Sequence, residues 1–311
     1  MAQNGSKRVV YAALYANLLI AITKFAAAAF TGSSAMLSEA FHSVADSANE
    51  ALLLFGAHRA ARPPDVEHPF GYGRELYFWS FVVAVVMFGI GAGLSFYEGV
   101  HRILAPRANQ NVYANYVVLV AALIFETWSW MVAIREFRRQ KGRLGYFQAA
   151  RRSKDPQVFI ILFEDSAALI GLVLALVATA LSDWLGQPWI DGAGSIAIGL
   201  VLAVVAAFLA SETKSLLIGE AADPQMLKDI QQLISAHPAV TRLNRLWSTH
   251  LGPGEVLIAA SIDFEDSLRG DQIEDATAEL EREIKRRHPE VRHFFVEVKE
   301  LSDRERPAAT A

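Results

Sequence analysis

Long apolar runs separated by short polar breaks fill the first two thirds of the chain, and the pattern then changes character. Five stretches are apolar over the roughly 20 residues that a membrane-spanning helix needs: Val9–Phe30, Leu76–Tyr97, Val112–Ile134, Val158–Leu181 and Trp189–Ala210. A sixth, Ser34–Ala57, is interrupted by EAFHSVADSANE, so hydropathy alone scores it poorly. At ~100° per residue, Glu39, His42, Ser43, Asp46, Asn49 and Glu50 fall within an arc of ~120°. The remaining positions there are apolar or small. The pattern therefore predicts a sixth spanning helix with one polar stripe rather than a loop.

From Asp223 onward the periodicity is that of a soluble domain. Pro224–Ala236 reads as an amphipathic helix entered through Asp-Pro. TRLNRLWSTH and VLIAASIDF alternate as strands joined by the LGPGE turn. Gln272–Arg287 reads as a charged helix and VRHFFVEVKE as a last strand, giving the order αββαβ. The predicted organisation is a six-helix transmembrane domain over residues 1–218, a small α+β domain over 219–303 and a disordered tail over 304–311.

Composition agrees with a membrane domain followed by a soluble one. The 311 residues are 53% hydrophobic and 20% charged, with a mean hydropathy of +0.25. A net charge of −4, without basic and aromatic residues interleaved, argues against nucleic acid as a partner. The absence of cysteine removes disulfides, thiolate metal sites and cysteine nucleophiles together. Basic residues set the orientation. Arg59, Arg62 and Arg74 follow the second span, and Arg135, Arg138, Arg139, Lys141, Arg143, Arg151, Arg152 and Lys154 follow the fourth. Only Arg102 and Arg107 lie in the loops on the other side. With six spans, the positive-inside rule places both termini in the cytoplasm or its equivalent. MAQNGSKRVV has the features of neither a transit peptide nor a cleavable signal, which points to a bacterial inner membrane.

Ionisable groups inside a span are costly, and they face an aqueous path or a partner. His42 and Asp46 stand four residues apart, so an imidazole and a carboxylate can converge, as in half of a tetrahedral divalent-metal site. The bland alternative is a His–Asp hydrogen bond that joins helices. The fifth span adds Glu164 and Asp165 in FIILFEDSAALIG. Carboxylates from two helices in one lipid-embedded region need a cation between them, or protonation. An intramembrane hydrolase is disfavoured: HExxH and a Gly-rich serine elbow are both missing, so no enzyme is predicted.

The chain resembles the cation diffusion facilitator family in TGSSAMLSEAFHSVAD, HPFGYGRE, DGAGSIAIG and ETKSLLIGEAAD, which occur in this order along most of its length. AVVMFGIGAGLSFYEGV and LFEDSAALIG are similar to the family's zinc transporter nine branch. The resemblance implies a homodimeric secondary transporter that exports Zn²⁺ in exchange for protons, with no organic cofactor and a metallochaperone-like cytoplasmic domain. Its transport ligands would fall on His42, Asp46 and Asp165. The family's fourth position falls on Ile161, which cannot coordinate. Glu164 is then the preferred fourth ligand, ahead of Glu126, whose alternative role is a structural partner for Lys24.

One imidazole with carboxylates suits Zn²⁺ and tolerates Co²⁺ or Mn²⁺. An imidazole titrates near pH ~6.5, so protons compete with the metal close to neutrality. A Mn²⁺, Fe²⁺ or Co²⁺ exporter of the same family, or a scaffold that binds metal without moving it, are the alternatives. Asp65 and His68 occupy a loop where relatives can carry a peripheral metal site. With Tyr72 in place of a second histidine, a structural loop is expected there. Asp191 is expected to cap the sixth span. His250, His288 and His293 are expected on the surface. Ala260, Glu297 and Lys299 weaken the case for metal sensing by the cytoplasmic domain.

Overall fold

The computed structural model describes residues 2–31, 34–105, 112–141, 145–146, 149 and 154–300. The side chains of residues 2–8, 27–28, 30–31, 34–42, 45, 112, 114–115 and 140–141 lie outside the description. So do the predicted tail at 304–311 and, from the basic loop, Arg143, Arg151 and Arg152.

Among the described residues, the first part of the chain contains six long helices: α1 (Ala2–Thr31), α2 (Ser34–Ala60), α3 (Glu75–Leu104), α4 (Val112–Lys141), α5 (Pro156–Leu185) and α6 (Trp189–Ile218). Five of them are long and apolar enough to cross a membrane, and α2 is the exception. Its 27 residues are long enough to span, but the polar stripe lowers its hydropathy. It packs along α1 and α3. The protein is an integral membrane protein, and its membrane part is all-helical.

Local chemistry sets the helix ends. The Asp155 side chain accepts from the Gln157 N–H at 3.2 Å and Pro156 follows at the first helical position, which starts α5. Gly186, at φ 62°, closes it in the left-handed conformation. Within α3, Met87–Ala92 forms a π-helical turn over the glycine-rich FGIGA stretch.

The apolar core of this part joins Val9 and Val10 of α1, Leu53 of α2, Val83 of α3, Phe137 of α4, Phe159–Ile161 of α5 and Leu209 of α6. Small residues let α6 approach its neighbours. A Cβ on Gly99 of α3 would meet the Gly192 carbonyl at 2.8 Å, and one on Gly194 would meet the Ala178 Cβ at 2.4 Å. Asp191 was expected to cap α6. It lies in the first turn of α6 and pairs with Arg102, a residue counted with a loop that in fact sits in the last turn of α3.

The chain divides into two compact units, one of residues 1–61 with 75–214 and the other of residues 62–74 with 215–311. The loop after α2 therefore belongs with the C-terminal unit, a grouping that the boundary at residue 218 did not anticipate. That unit contains α7 (Pro224–Ser235), β1 (Val240–Gly252), β2 (Glu255–Phe264), α8 (Gly270–Arg287) and β3 (Val291–Val298), in the predicted αββαβ order. β1 and β2 are antiparallel, β2 and β3 parallel, and β2 lies in the middle. Pro253 and Gly254 connect β1 to β2, and the φ of 71° at Gly254 fits the second central position of a type II turn. Ile230 and Ile234 of α7, Leu280 and Ile284 of α8, and Val256, Ile258 and Ile262 of β2 form its core.

Two of the three histidines expected on this unit's surface are placed otherwise. His250 is 5% exposed near the end of β1, where its N–H donates to the Glu220 carbonyl at 3.0 Å. His288 bonds Asp229 at 2.7 Å and ties the end of α8 to α7. The third, His293, stands edge-on to Phe70 at 5.2 Å between ring centres.

Candidate functional site

α2, α4 and α5 bring the intramembrane acids together. Asn49 and Glu50 of α2, Glu126 and Ser129 of α4, and Glu164 and Asp165 of α5 are all buried, and Asp46 is half-buried. The backbone of His42 lies on α2, but its side chain is outside the described residues.

Consecutive helical residues point about 100° apart, and α5 uses that divergence. Glu164 turns to α2, where its Oε1 accepts from Asn49 Nδ2 at 2.9 Å. Asp165 turns to α4, where its Oδ2 accepts from Ser129 Oγ at 2.8 Å. The next residue, Ser166, accepts from the Trp130 indole at 2.9 Å and fixes the same helix pair. Gln157 donates to the Leu53 carbonyl at 3.2 Å and holds α5 against α2 one level away.

The carboxylates sense one another. Glu164 interacts electrostatically with Asp46 and Glu126, and Asp165 with Glu126, Glu164 and Asp46. Among the described residues, no three histidine or carboxylate side chains stand in a metal-coordinating arrangement. What the helices supply is a group of neighbouring acids, buried except for half-buried Asp46, with Oε2 of Glu164 lacking a hydrogen-bond partner among the described residues.

Two further contacts anchor α1 to the stripe. Asn17 Nδ2 donates to Glu50 Oε1 at 2.9 Å, and Lys24 Nζ donates to Ser43 Oγ at 3.0 Å. Sequence reasoning offered Lys24 as a structural partner for Glu126. It placed Asn49 and Glu50 on the stripe without giving them roles, and it passed over Ser129. The spacing of Ser129 from Glu126, three residues along one helix face, was the available signal.

The loop acids have partners of their own. Asp65 Oδ1 accepts from the backbone N–H groups of Glu67 and His68 at 3.0 and 2.7 Å, and its Oδ2 accepts from the Tyr72 hydroxyl at 2.6 Å. The Tyr72 hydroxyl, followed by the His68 amide, holds the Asp65 carboxyl below its usual range, and the same bond raises Tyr72. The His68 ring leans on Tyr72 at 4.3 Å between centres. Both carboxylate oxygens are engaged within a turn, which favours a structural role for Asp65. In the C-terminal unit, Ala260 is buried in the sheet and the Lys299 N–H donates to the Ile262 carbonyl at 3.0 Å.

Residues 10–218 match the model of the cation efflux transmembrane domain. The chain is 33% identical to the proton-coupled zinc antiporter SLC30A9, mitochondrial, of Xenopus laevis, over 96% of this chain and 60% of that relative. It is 31% identical to the protein of the same name from Homo sapiens, over 94% of this chain and 59% of the relative. It is 33% identical to metal tolerance protein C4 of Arabidopsis thaliana, over 83% and 57%. The chain therefore spans about 60% of the length of these relatives at most.

Proposed function

The chain belongs to the cation efflux family, in its zinc transporter nine-like branch, and on that premise we propose that it exports divalent cations, Zn²⁺ foremost, in exchange for protons. The observation that carries the proposal is the set of carboxylates drawn from three helices, buried Glu126, Glu164 and Asp165 with half-buried Asp46, acting on one another. A divalent substrate relieves that repulsion.

His42, Asp46 and Asp165 are the proposed ligands, with Glu164 as the fourth donor and Glu126 in reserve. His42 and Asp46 sit one turn apart on α2, so both can reach a single ion between α2 and α5. The imidazole favours zinc over hard all-oxygen ions such as Mg²⁺. Metal requires a neutral imidazole and ionised carboxylates, so protons arriving from the far side compete for the same lone pairs and release it. Asn49 and Ser129 hold Glu164 and Asp165 by one oxygen each, and the other oxygen of Glu164 has no hydrogen bond among the described residues.

The proposed orientation puts both termini on the side of the basic loops, cytoplasm or matrix, from which the ion departs. The mitochondrial names among the relatives tell against the bacterial inner membrane expected from the N-terminus, and the sidedness is the same in either. The C-terminal unit supports the homodimer. Trp247 and Phe295, 48% and 50% exposed, stand in line across the sheet on the face away from α7 and α8.

The test is reconstitution of the full chain into liposomes with a zinc-sensitive dye inside. Saturable flux driven by a pH difference is expected, with Asp46→Ala and Asp165→Ala reducing it to background. Near-normal flux in both variants overturns the proposal, and binding without flux supports a scaffold instead.

A further inference from the structure

We propose that Glu50 and Asn49 form, together with Glu164, a second cation-binding position on the basic side of the transport ligands, where an ion is held before it reaches Asp46. The inference rests on the transport reading above and adds an inlet to it.

Glu50 is 1% exposed, the most deeply buried acid on the stripe. Its Oε1 accepts from Asn17, while its Oε2 has no hydrogen-bond partner among the described residues. The same holds for Glu164 Oε2 and for Asn49 Oδ1, although Glu164 and Asn49 bond to each other through their remaining atoms. Three buried acceptor oxygens in one neighbourhood thus lack donors among the described residues. Unpaired buried acceptors are destabilising, and charged ones the more so. The electrostatic neighbours of Glu50, strongest first, are Glu164, Asp46 and Asp165.

A purely structural role does not call for a carboxylate at position 50. A glutamine there would accept the same bond from Asn17 through its amide oxygen and bury no charge. What the carboxylate adds is the charge and a second lone-pair oxygen, and a cation uses both. Position follows from the helix: Glu50 lies four residues beyond Asp46 toward Arg59, a rise of about 6 Å. With the basic loops inside, an ion moving outward meets Glu50 first. Two carboxylates and an amide carbonyl, without imidazole, make an all-oxygen set. Such a set suits Mn²⁺ and partly hydrated ions and holds zinc less tightly than a set containing His42.

The experiment uses the purified full chain in detergent, with Mn²⁺, Zn²⁺ and Co²⁺ as probes. In Asp46→Ala, which disables the transport ligands, a weaker cation site is expected to persist, visible by equilibrium dialysis with Mn²⁺. Adding Glu50→Gln to that background should weaken it by roughly tenfold or more, whereas Glu50→Asp, which keeps the charge, should retain it. Co²⁺ bound to Asp46→Ala should give the faint absorption of a six-coordinate oxygen site rather than the intense bands of a tetrahedral one. If Asp46→Ala binds no cation, or binds it equally with and without Glu50→Gln, the inlet does not exist, even though wild-type flux in liposomes would leave the transport reading standing. A wild type that carries no zinc would sink both.

Discussion

Asn49 on α2 donates its amide hydrogen to one carboxylate oxygen of Glu164 on α5, at 2.9 Å. This bond turns Glu164 toward α2 while the adjacent Asp165 is held by α4 through Ser129. Replacing Asn49 with alanine leaves the Glu164 carboxylate free to swing and removes a bond of about 1–3 kcal/mol. In the liposome assay, Asn49→Ala should raise the zinc concentration for half-maximal flux by roughly tenfold, with a smaller change in maximal rate. A change confined to maximal rate would show that Asn49 acts on helix movement rather than on holding the ligand.

Much of this arrangement can be read from the chain. A polar stripe of fixed helical phase, with a second helix carrying Glu-Asp in apolar surroundings, points to one site between α2 and α5. Side-chain direction was harder to foresee. Neighbours such as Glu164 and Asp165 look equivalent in a sequence, and only the Asn49 and Ser129 partners reveal that they face different helices. His250 was assigned to the surface because scattered histidines usually are, but it lies at the end of β1, whose last three residues, His250–Gly252, are all buried. Residues 62–74 group with the C-terminal unit, and one of their contacts there, the close approach of Gly73 to the Gly252 backbone, has no hydrophobic pattern to announce it.

Glu283 provides a pH-dependent element outside the membrane. Hydrogen bonds from Arg286 and then Arg287 pull its pKa down to about 2. An unperturbed glutamate titrates near ~4.3, so on acidification the unfolded chain takes up the proton first. The contribution of Glu283 is present above ~4.3 and disappears as the pH falls toward 2, and salt screens it because the cluster is exposed. Hydrogen exchange in α8, corrected for intrinsic rates, should show protection falling across that window. Glu283→Gln should lose part of the fall, and an unchanged profile in the variant would remove Glu283 as its source.

Gly73 and Gly89 should respond oppositely to the same substitution. A Cβ at Gly73 would stand 2.6 Å from the Leu251 carbonyl oxygen and 3.0 Å from the Gly252 Cα, both backbone atoms that cannot swing aside. Gly73→Ala should therefore destabilise the packing of the loop on the β1–β2 hairpin by about 1–3 kcal/mol. At Gly89, in the π-turn of α3, an added Cβ meets nothing within 4 Å. Gly89→Ala should be neutral or stabilising by up to ~1 kcal/mol from helix propensity alone. Thermal melts of the full chain in one detergent compare the two, and a lower midpoint for Gly89→Ala would show that the glycine serves a contact outside the single chain.

Competition between zinc and protons gives the transport reading its sharpest test. Every ligand that must lose a proton to bind metal contributes up to a tenfold fall in affinity per pH unit once the pH lies below that ligand's own titration. Zinc binding by the purified chain should therefore weaken steeply between about pH 8 and about pH 6, where an imidazole titrates. His42→Ala should bind zinc more weakly at the upper end and lose the imidazole's share of the slope. Asp165→Asn should weaken binding while keeping the imidazole's share of the slope. A wild-type affinity indifferent to pH across this range would mean that protons and zinc do not share ligands, and exchange between them would then need a separate proton path.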